Sequence, residues 1–385
     1  MLKKFTVSNY RSFENPITLD FTNIGEFDFN EECVEGGLIN KAIMYGKNAV
    51  GKTNLGLAVV DVMTMIPGKA SDITLRHARA KASGFINAKT NEQVAKFEYV
   101  FQIENKEIRY EYEKLAVDKL CYESLKIDSE LLYELNFDTG EGDFSGFDSY
   151  PLLKSLILGN WDESISVLKY ILSNTNLDKT ATLKKLERFI EGMRNPESIF
   201  EQISLDNRAS VSIDFIIQGG HFFGLKNFLQ EMGVDIDLIP MSIPGKGTIL
   251  YINYGENKES LPFVEYASSG TLSLVELYPY VEIFNNATFL YIDEFDANFH
   301  FEAAKLMFEK FKMNTNCQTI ITTHNTDLMS NKYLRPDCYL LMLPNKVVSL
   351  MDATDRKLRR GHNLEKLYQS GEFKEMLDRI GEDDE

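Results

Sequence analysis

The stretch Gly46-Lys47-Asn48-Ala49-Val50-Gly51-Lys52-Thr53 matches the pattern G-x-x-x-x-G-K-[ST] at every fixed position. It follows an apolar, strand-like run, Ala42-Ile43-Met44-Tyr45, and precedes a helix-like run that begins at about Asn54. Strand, glycine loop and helix are the setting in which this pattern cradles phosphate. Glycine lets the backbone curl so that successive N–H groups face one anion, and the new helix adds its positive dipole end. On this reading Gly46, Asn48, Ala49, Val50, Gly51, Lys52, Thr53 and Asn54 line the cradle. Lys52 reaches the β- and γ-phosphates, and Thr53 places a hydroxyl on Mg²⁺. Glycine is about 7% of average sequences, so a chance match in a chain of this length has odds on the order of one per cent.

Working outward, two strand-like segments far along the chain supply the acids and the histidine that such a loop requires. In Phe289-Leu290-Tyr291-Ile292-Asp293-Glu294 four apolar residues form a buried strand that ends in two acids. Carboxylates at the C-terminal end of a central parallel strand face the ligand crevice. Asp293 is expected to hold the Mg²⁺ shell through water, and Glu294 to polarise the water that attacks the γ-phosphate. In Ile320-Ile321-Thr322-Thr323-His324 another buried strand ends in hydroxyls and a histidine. His324 is expected to hydrogen-bond the γ-phosphate and the attacking water. Tyr266-Ala267-Ser268-Ser269-Gly270-Thr271 opens a helix that runs towards Tyr280. Small residues there expose N–H groups and a serine hydroxyl to an anion.

The composition bounds the rest. The chain has 385 residues, 44% of them hydrophobic, which suffices for one large domain or two or three smaller ones. No apolar run reaches the roughly 18 residues that suggest a membrane span, and the opening Leu2-Lys3-Lys4-Phe5-Thr6-Val7 reads as a strand rather than a secretory signal. The four cysteines, Cys33, Cys121, Cys317 and Cys338, are widely spaced and none has metal-ligand spacing. Reduced thiols in a cytoplasmic protein are the simplest account. A net charge of −17 weighs against a surface built to wrap nucleic acid, although it leaves room for a local basic groove. The cluster Glu382-Asp383-Asp384-Glu385 reads as a solvated end.

Periodicity places these segments in an alternating α/β order. Leu2–Val7 and Ile17–Phe21 read as a hairpin. Phe97–Ile103 and Ile108–Tyr112 read as a second, with a further strand pair near 115–135. Residues 137–150 read as a loop. From 151 to 232 the period is helical, with Leu168, Ile171 and Leu172 on one stripe and Leu183, Leu186, Phe189 and Ile190 on another. Trp161 and His221, in that stretch, read as packing residues. Strands are expected at Thr248–Asn253, Phe263–Tyr266, Thr288–Asp293, Gln318–Thr323 and Cys338–Leu343, with helices over 298–313 and after Asn363. Alternation of this kind implies a mostly parallel sheet with helices on its faces.

The order of the four segments resembles that of ATP-binding-cassette-type ATPases, and within them the OLD-like clade related to RecF and SMC proteins. Ser268-Ser269-Gly270-Thr271 is similar to the superfamily's Ser-Gly-Gly-Gln/Glu signature, with Ser269 in place of a glycine. Asp293-Glu294-Phe295-Asp296-Ala297-Asn298-Phe299-His300 resembles the acidic motif followed by the D-loop, with His300 where many transporters have aspartate. Asn9-Tyr10-Arg11-Ser12-Phe13 resembles the clade's opening turn, and Glu365-Lys366-Leu367-Tyr368-Gln369-Ser370-Gly371 the end of related phage-defence ATPases. The resemblance covers roughly residues 1–110 and 245–375. It implies an ABC-type P-loop ATPase with a mixed sheet flanked by helices, its two lobes split by a largely helical insertion. The expected division is an N-terminal lobe over 1–114, an insertion over 115–245, a C-terminal lobe over 246–355 and a helical tail over 356–385. The metal-linking glutamine of these ATPases has two candidates, Gln102 and Gln93.

The resemblance also implies ATP and Mg²⁺ as ligands. It implies a homodimer or higher homo-oligomer joined head to tail through its ATP sites, with Ser268, Ser269, Gly270 and His300 meeting a neighbour's nucleotide. Full OLD enzymes carry a C-terminal nuclease domain. About 40 residues after the last strand are too few for one, so an effector, nuclease or toxin, is expected on a separate polypeptide. The chain resembles the ATPase subunits of two-gene anti-phage modules such as Septu and PARIS. The alternative is a DNA repair or recombination ATPase of the RecF and SMC kind. A third possibility, a nucleotide-gated scaffold, differs from both in having negligible turnover.

Overall fold

The computed structural model describes residues 1–68, 83–148, 162–178, 181–195, 213, 216–243, 247–256, 258–295 and 301–373. The chain divides into two units, one of residues 1–195, 287–294 and 315–385 and the other of 196–286 and 295–314.

The first unit holds two principal sheets. One is antiparallel and seven-stranded. It is formed by β1 (Leu2–Ser8), β2 (Ile17–Asp20), β6 (Ala95–Ile103), β7 (Lys106–Ala116), β8 (Lys119–Ile127), β9 (Glu130–Asn136) and β10 (Gly142–Asp143), in the order β10-β9-β8-β7-β6-β1-β2. Its alternating sequences put Phe97, Tyr99, Phe101, Tyr110 and Tyr112 on the buried face, where Tyr99 and Phe101 stack at 5.7 Å. Both expected hairpins form, with Phe5 opposite Leu19 and Tyr99 opposite Tyr110. The strand pair expected near 115–135 forms as β8 and β9. It extends this same sheet past residue 114, and part of the 137–150 loop adds β10.

The other principal sheet is mostly parallel. A separate short hairpin is formed by β3 (Val34–Glu35) and β4 (Leu38–Ile39). It leads into β5 (Lys41–Gly46), which is joined by β11 (Met193–Arg194), β15 (Phe289–Ile292), β16 (Gln318–Thr322), β17 (Tyr339–Met342) and β18 (Val347–Ser349) in the order β11-β15-β16-β5-β17-β18. Only the β17–β18 pair is antiparallel. Every residue of β15, β16 and β17 is buried, the polar Gln318, Thr319 and Thr322 of β16 included, as strands covered on both faces must be. The buried Gln318 side chain stitches this sheet to the first. It accepts from the Leu2 N–H at 2.9 Å and donates to the carbonyls of Leu2 and Ile39 at 2.9 and 3.1 Å.

Helix α1 (Lys52–Val60) follows the glycine loop two residues earlier than expected. Helices α2 (Val167–Asn174) and α3 (Thr182–Glu191) bury most of the two stripes read from the sequence: Leu168, Ile171 and Leu172 on α2, and Leu183, Leu186 and Ile190 on α3, with Phe189 half-buried. The four cysteines are free and buried.

The second unit contains α4 (Phe222–Glu231) and a three-stranded antiparallel sheet of β12 (Leu238–Ile243), β13 (Gly247–Ile252) and β14 (Leu261–Pro262). It also contains α5 (Phe263–Tyr266), α6 (Ser269–Asn285) and α7 (Phe301–Met313). Phe263–Tyr266, expected as a strand, is the one-turn helix α5. Pro262, with φ −57°, ends the short strand and sits at the helix N-cap, a position that requires no N–H from the ring. In α6, Tyr278 lies 5.5 Å from Phe228 of α4. Helix α8 (Leu364–Gln369), in the first unit, begins where the Asn363 side chain accepts from the Lys366 N–H at 2.9 Å.

Candidate nucleotide site

Three adjacent parallel strands bring the predicted residues to one edge. β16 lies between β15 and β5, with Ile292 opposite Ile321 and Thr322 opposite Met44. Their C-terminal ends therefore release Asp293, His324 and the glycine loop on the same side of the sheet. Residues 52 and 324 are 272 positions apart in sequence, yet Lys52 Nζ and His324 Nε2 lie 3.1 Å apart.

The loop owes its curl to two left-handed residues, Ala49 at φ 63° and Gly51 at φ 110°. A Cβ at Gly51 would lie 2.8 Å from Phe13 and Ser12, so glycine is required both for conformation and for space. Phe13 and Ser12 come from the opening turn, and Asn54 donates to Ser12 Oγ at 2.9 Å. Lys52 is 7% exposed. Its ammonium donates to the Gly46 and Lys47 carbonyls at 3.0 and 3.2 Å. Burial pulls its pKa down, against the opposing pull of Asp293 and Glu294.

Asp293 is buried and accepts two hydroxyls, Thr53 Oγ1 on Oδ2 and Thr322 Oγ1 on Oδ1. Glu294 is exposed, with φ 45°, and its N–H donates to Thr322 Oγ1 at 2.9 Å. Tyr291, fully buried in β15, donates to the Lys52 carbonyl at 2.6 Å and ties the acidic strand to the first turn of α1. Gly56 permits that approach, because a Cβ there would sit 2.4 Å from the Tyr291 ring.

Lys52, Thr53, Asp293, Glu294 and His324 thus share one strand edge. Thr322 and Tyr291, which the motif reading passes over, hold that edge together. Their signal in the sequence was only a hydroxyl and a phenol inside apolar runs. In the second unit, Ser268 caps α6: its Oγ accepts from the Thr271 N–H at 3.1 Å, and Ser269 and Gly270 form the first turn. His300 and Trp161 lie outside the described residues. The two glutamine candidates spend their side-chain amides locally, Gln102 on the Glu104 carbonyl and Gln93 on the Asn91 carbonyl. His221 lies 3.4 Å from Glu282.

The donor set fits a magnesium nucleotide. A loop of left-handed turns with a buried ammonium at its centre suits a polyphosphate. A threonine hydroxyl beside a carboxylate is an all-oxygen pair suited to a hard cation.

Among solved structures the chain is similar to an SMC head bound to the C-winged helix domain of ScpA, at 16% identity and TM-score 0.45, over 90% of this chain and 97% of that one. It is similar to the SMC head domain from Thermotoga maritima, at 13% identity and TM-score 0.42, over 90% and 98%. It is also similar to the recombination mediator RecF with ATP, at 15% identity and TM-score 0.37, over 91% and 99%. No curated protein matches the chain. The profile of one sequence family, described as "AAA domain, putative AbiEii toxin, Type IV TA system", matches residues 41–330, from the strand before the glycine loop to beyond His324, and the chain belongs to that family.

Proposed function

We propose that this chain is an ABC-type ATPase that binds and hydrolyses ATP, and that it serves as the nucleotide-driven subunit of a bacterial anti-phage, abortive-infection complex. The observation that carries the ATPase reading is the meeting of Lys52, Thr53, Asp293, Glu294 and His324 at one strand edge. In this reading the loop N–H groups and Lys52 bind the phosphates, Lys52 exchanging its loop carbonyls for phosphate oxygens. Thr53 and Asp293 hold Mg²⁺, which supplies charge neutralisation on the phosphates when bound. Glu294 orients a water and accepts its proton, and His324 donates a hydrogen bond towards the terminal phosphate.

The α6 N-terminus, Ser268 to Gly270, is assigned to a second copy's nucleotide, so that ATP joins two protomers head to tail and hydrolysis releases them. The resulting motion controls a separately encoded effector, nuclease or toxin. The toxin–antitoxin description of the family supports the defence role. The test is nucleotide binding and turnover with pure protein. Glu294→Gln is expected to retain ATP, lose most turnover and shift to a larger species in sedimentation; turnover equal to wild type removes Glu294 from the role. Native pull-down from infected cells should recover a second polypeptide. Recovery of this chain alone, with no effect on phage plating, ends the defence assignment.

A DNA-directed ATPase is the second reading. One observation favours it: in a chain of net charge −17, the segment Arg356-Lys357-Leu358-Arg359-Arg360 exposes four basic side chains. It predicts turnover stimulated by DNA and an affinity that falls steeply with salt. Arg359→Glu with Arg360→Glu should abolish both.

A further inference from the structure

We propose that Thr322 is the positioning residue that locks the two strand-end acids into one working geometry; the inference rests on the ATPase reading above. Thr322 is the last residue of β16 and is wholly buried. A threonine hydroxyl has a single proton and two lone pairs. Here the proton goes to Asp293 Oδ1, while a lone pair receives the Glu294 N–H at 2.9 Å. One oxygen atom therefore fixes both the carboxylate of the first acid and the backbone of the second.

The second half of that link matters because Glu294 occupies left-handed space at φ 45°, which a residue with a Cβ avoids unless its surroundings hold it. The N–H bond to Thr322 is a hold of that kind, and it sets the direction in which the exposed Glu294 side chain leaves the strand. The first half divides the work on Asp293. Thr53 occupies Oδ2 and Thr322 occupies Oδ1. When Thr53 turns its oxygen to a cation, Asp293 keeps its orientation through Thr322. The residue thus reaches the reaction through its neighbours, without touching substrate.

Thr322→Val keeps the shape and removes the hydroxyl, whereas Thr322→Ser keeps the hydroxyl. Three measurements separate the outcomes. At saturating MgATP, Thr322→Val is expected to turn over about 10- to 100-fold more slowly, with KM within about 3-fold of wild type, because the phosphate loop is untouched. Thr322→Ser is expected to return most of that loss. In nucleotide-free protein, amide hydrogen exchange of a peptide spanning residues 290–295 should accelerate in the valine variant and stay slow in the serine variant. Valine turnover equal to wild type, equal losses in both variants, or unchanged exchange overturns the inference. Wild-type protein that fails to bind and hydrolyse ATP overturns the ATPase reading instead, a separate result.

Discussion

Two buried lysines, one beside each principal sheet of the first unit, show how similar side chains acquire different duties. Lys114 on β7 is fully enclosed and meets Asp61 at 2.5 Å and Thr64 at 3.0 Å. Tyr112 donates to the same Asp61 oxygen at 2.8 Å. Burial alone would pull the Lys114 proton off, and the adjacent Asp61 charge works against that. The lysine and its carboxylate neutralise each other, and the network is closed. Lys52 is set less deeply, and its hydrogen-bond partners are two carbonyls and an imidazole nitrogen rather than a carboxylate. Asp293 and Glu294 act on it through space, while its donors rest on dipoles that an incoming anion can replace. A buried cation paired within the fold is architecture, and one partnered by dipoles at a strand edge is a receptor for an anion.

The contrast is sharpest in a pair of variants. Lys52→Ala is expected to weaken ATP binding by at least about 100-fold, the equivalent of one or two charge-assisted hydrogen bonds, while changing stability by less than about 1 kcal/mol. Titration of a fluorescent nucleotide and urea unfolding would read the two effects. Lys114→Met should do the reverse, because it strands Asp61 in the core. The expected loss is about 3–5 kcal/mol in urea unfolding, much of it recovered by adding Asp61→Leu. If Lys52→Ala destabilises as much as Lys114→Met, the distinction between receptor and architecture collapses.

A smaller effect is expected at Gly56, where alanine would press on the Tyr291 ring. Overpacking of about 1–3 kcal/mol should outweigh the helix-propensity gain of roughly 1 kcal/mol. The Tyr291 bond to the Lys52 carbonyl should loosen with it. A thermal melt that rises for Gly56→Ala would show that the α1–β15 contact has slack.

A third lysine adds a pH dependence to the comparison. Lys41 lies at the opposite end of β5, buried, with its ammonium on the Cys317 carbonyl and burial pulling its pKa down to about 8 from 10.5. Between those values the unfolded chain binds a proton that the folded chain has released, so the Lys41 contribution to stability rises with pH. Wild type should therefore gain on Lys41→Met from pH 8 to 10.5 and hold a constant difference below about 7. Urea unfolding at four pH values checks this, and a flat difference across the window would place Lys41 in a wetter setting.

Much of the strand edge was legible because its motifs are local. The Gly46–Thr53 loop, the apolar run ending in Asp293-Glu294 and the run ending in His324 each announce themselves within five to eight residues. Phe263–Tyr266 misled because an aromatic and β-branched tetrapeptide suits a strand, whereas Pro262 before it starts a turn of helix. Likewise, the strand pair near 115–135 was legible, but not that β8 and β9 extend the antiparallel sheet, since pairing across strands is a tertiary choice.

The sequence by itself determined which chemical groups exist and which local shapes present them: a glycine-permitted curl, a lysine at a helix start, acids after a buried strand. Tertiary structure alone decided that Thr53 and Asp293, 240 positions apart, answer to each other. It also gave Thr322 and Tyr291 their duties. The physical reason is that a hydrogen bond depends on atoms within about 3 Å and not on chain distance. Only the parallel pairing of β15, β16 and β5 brings those atoms that close.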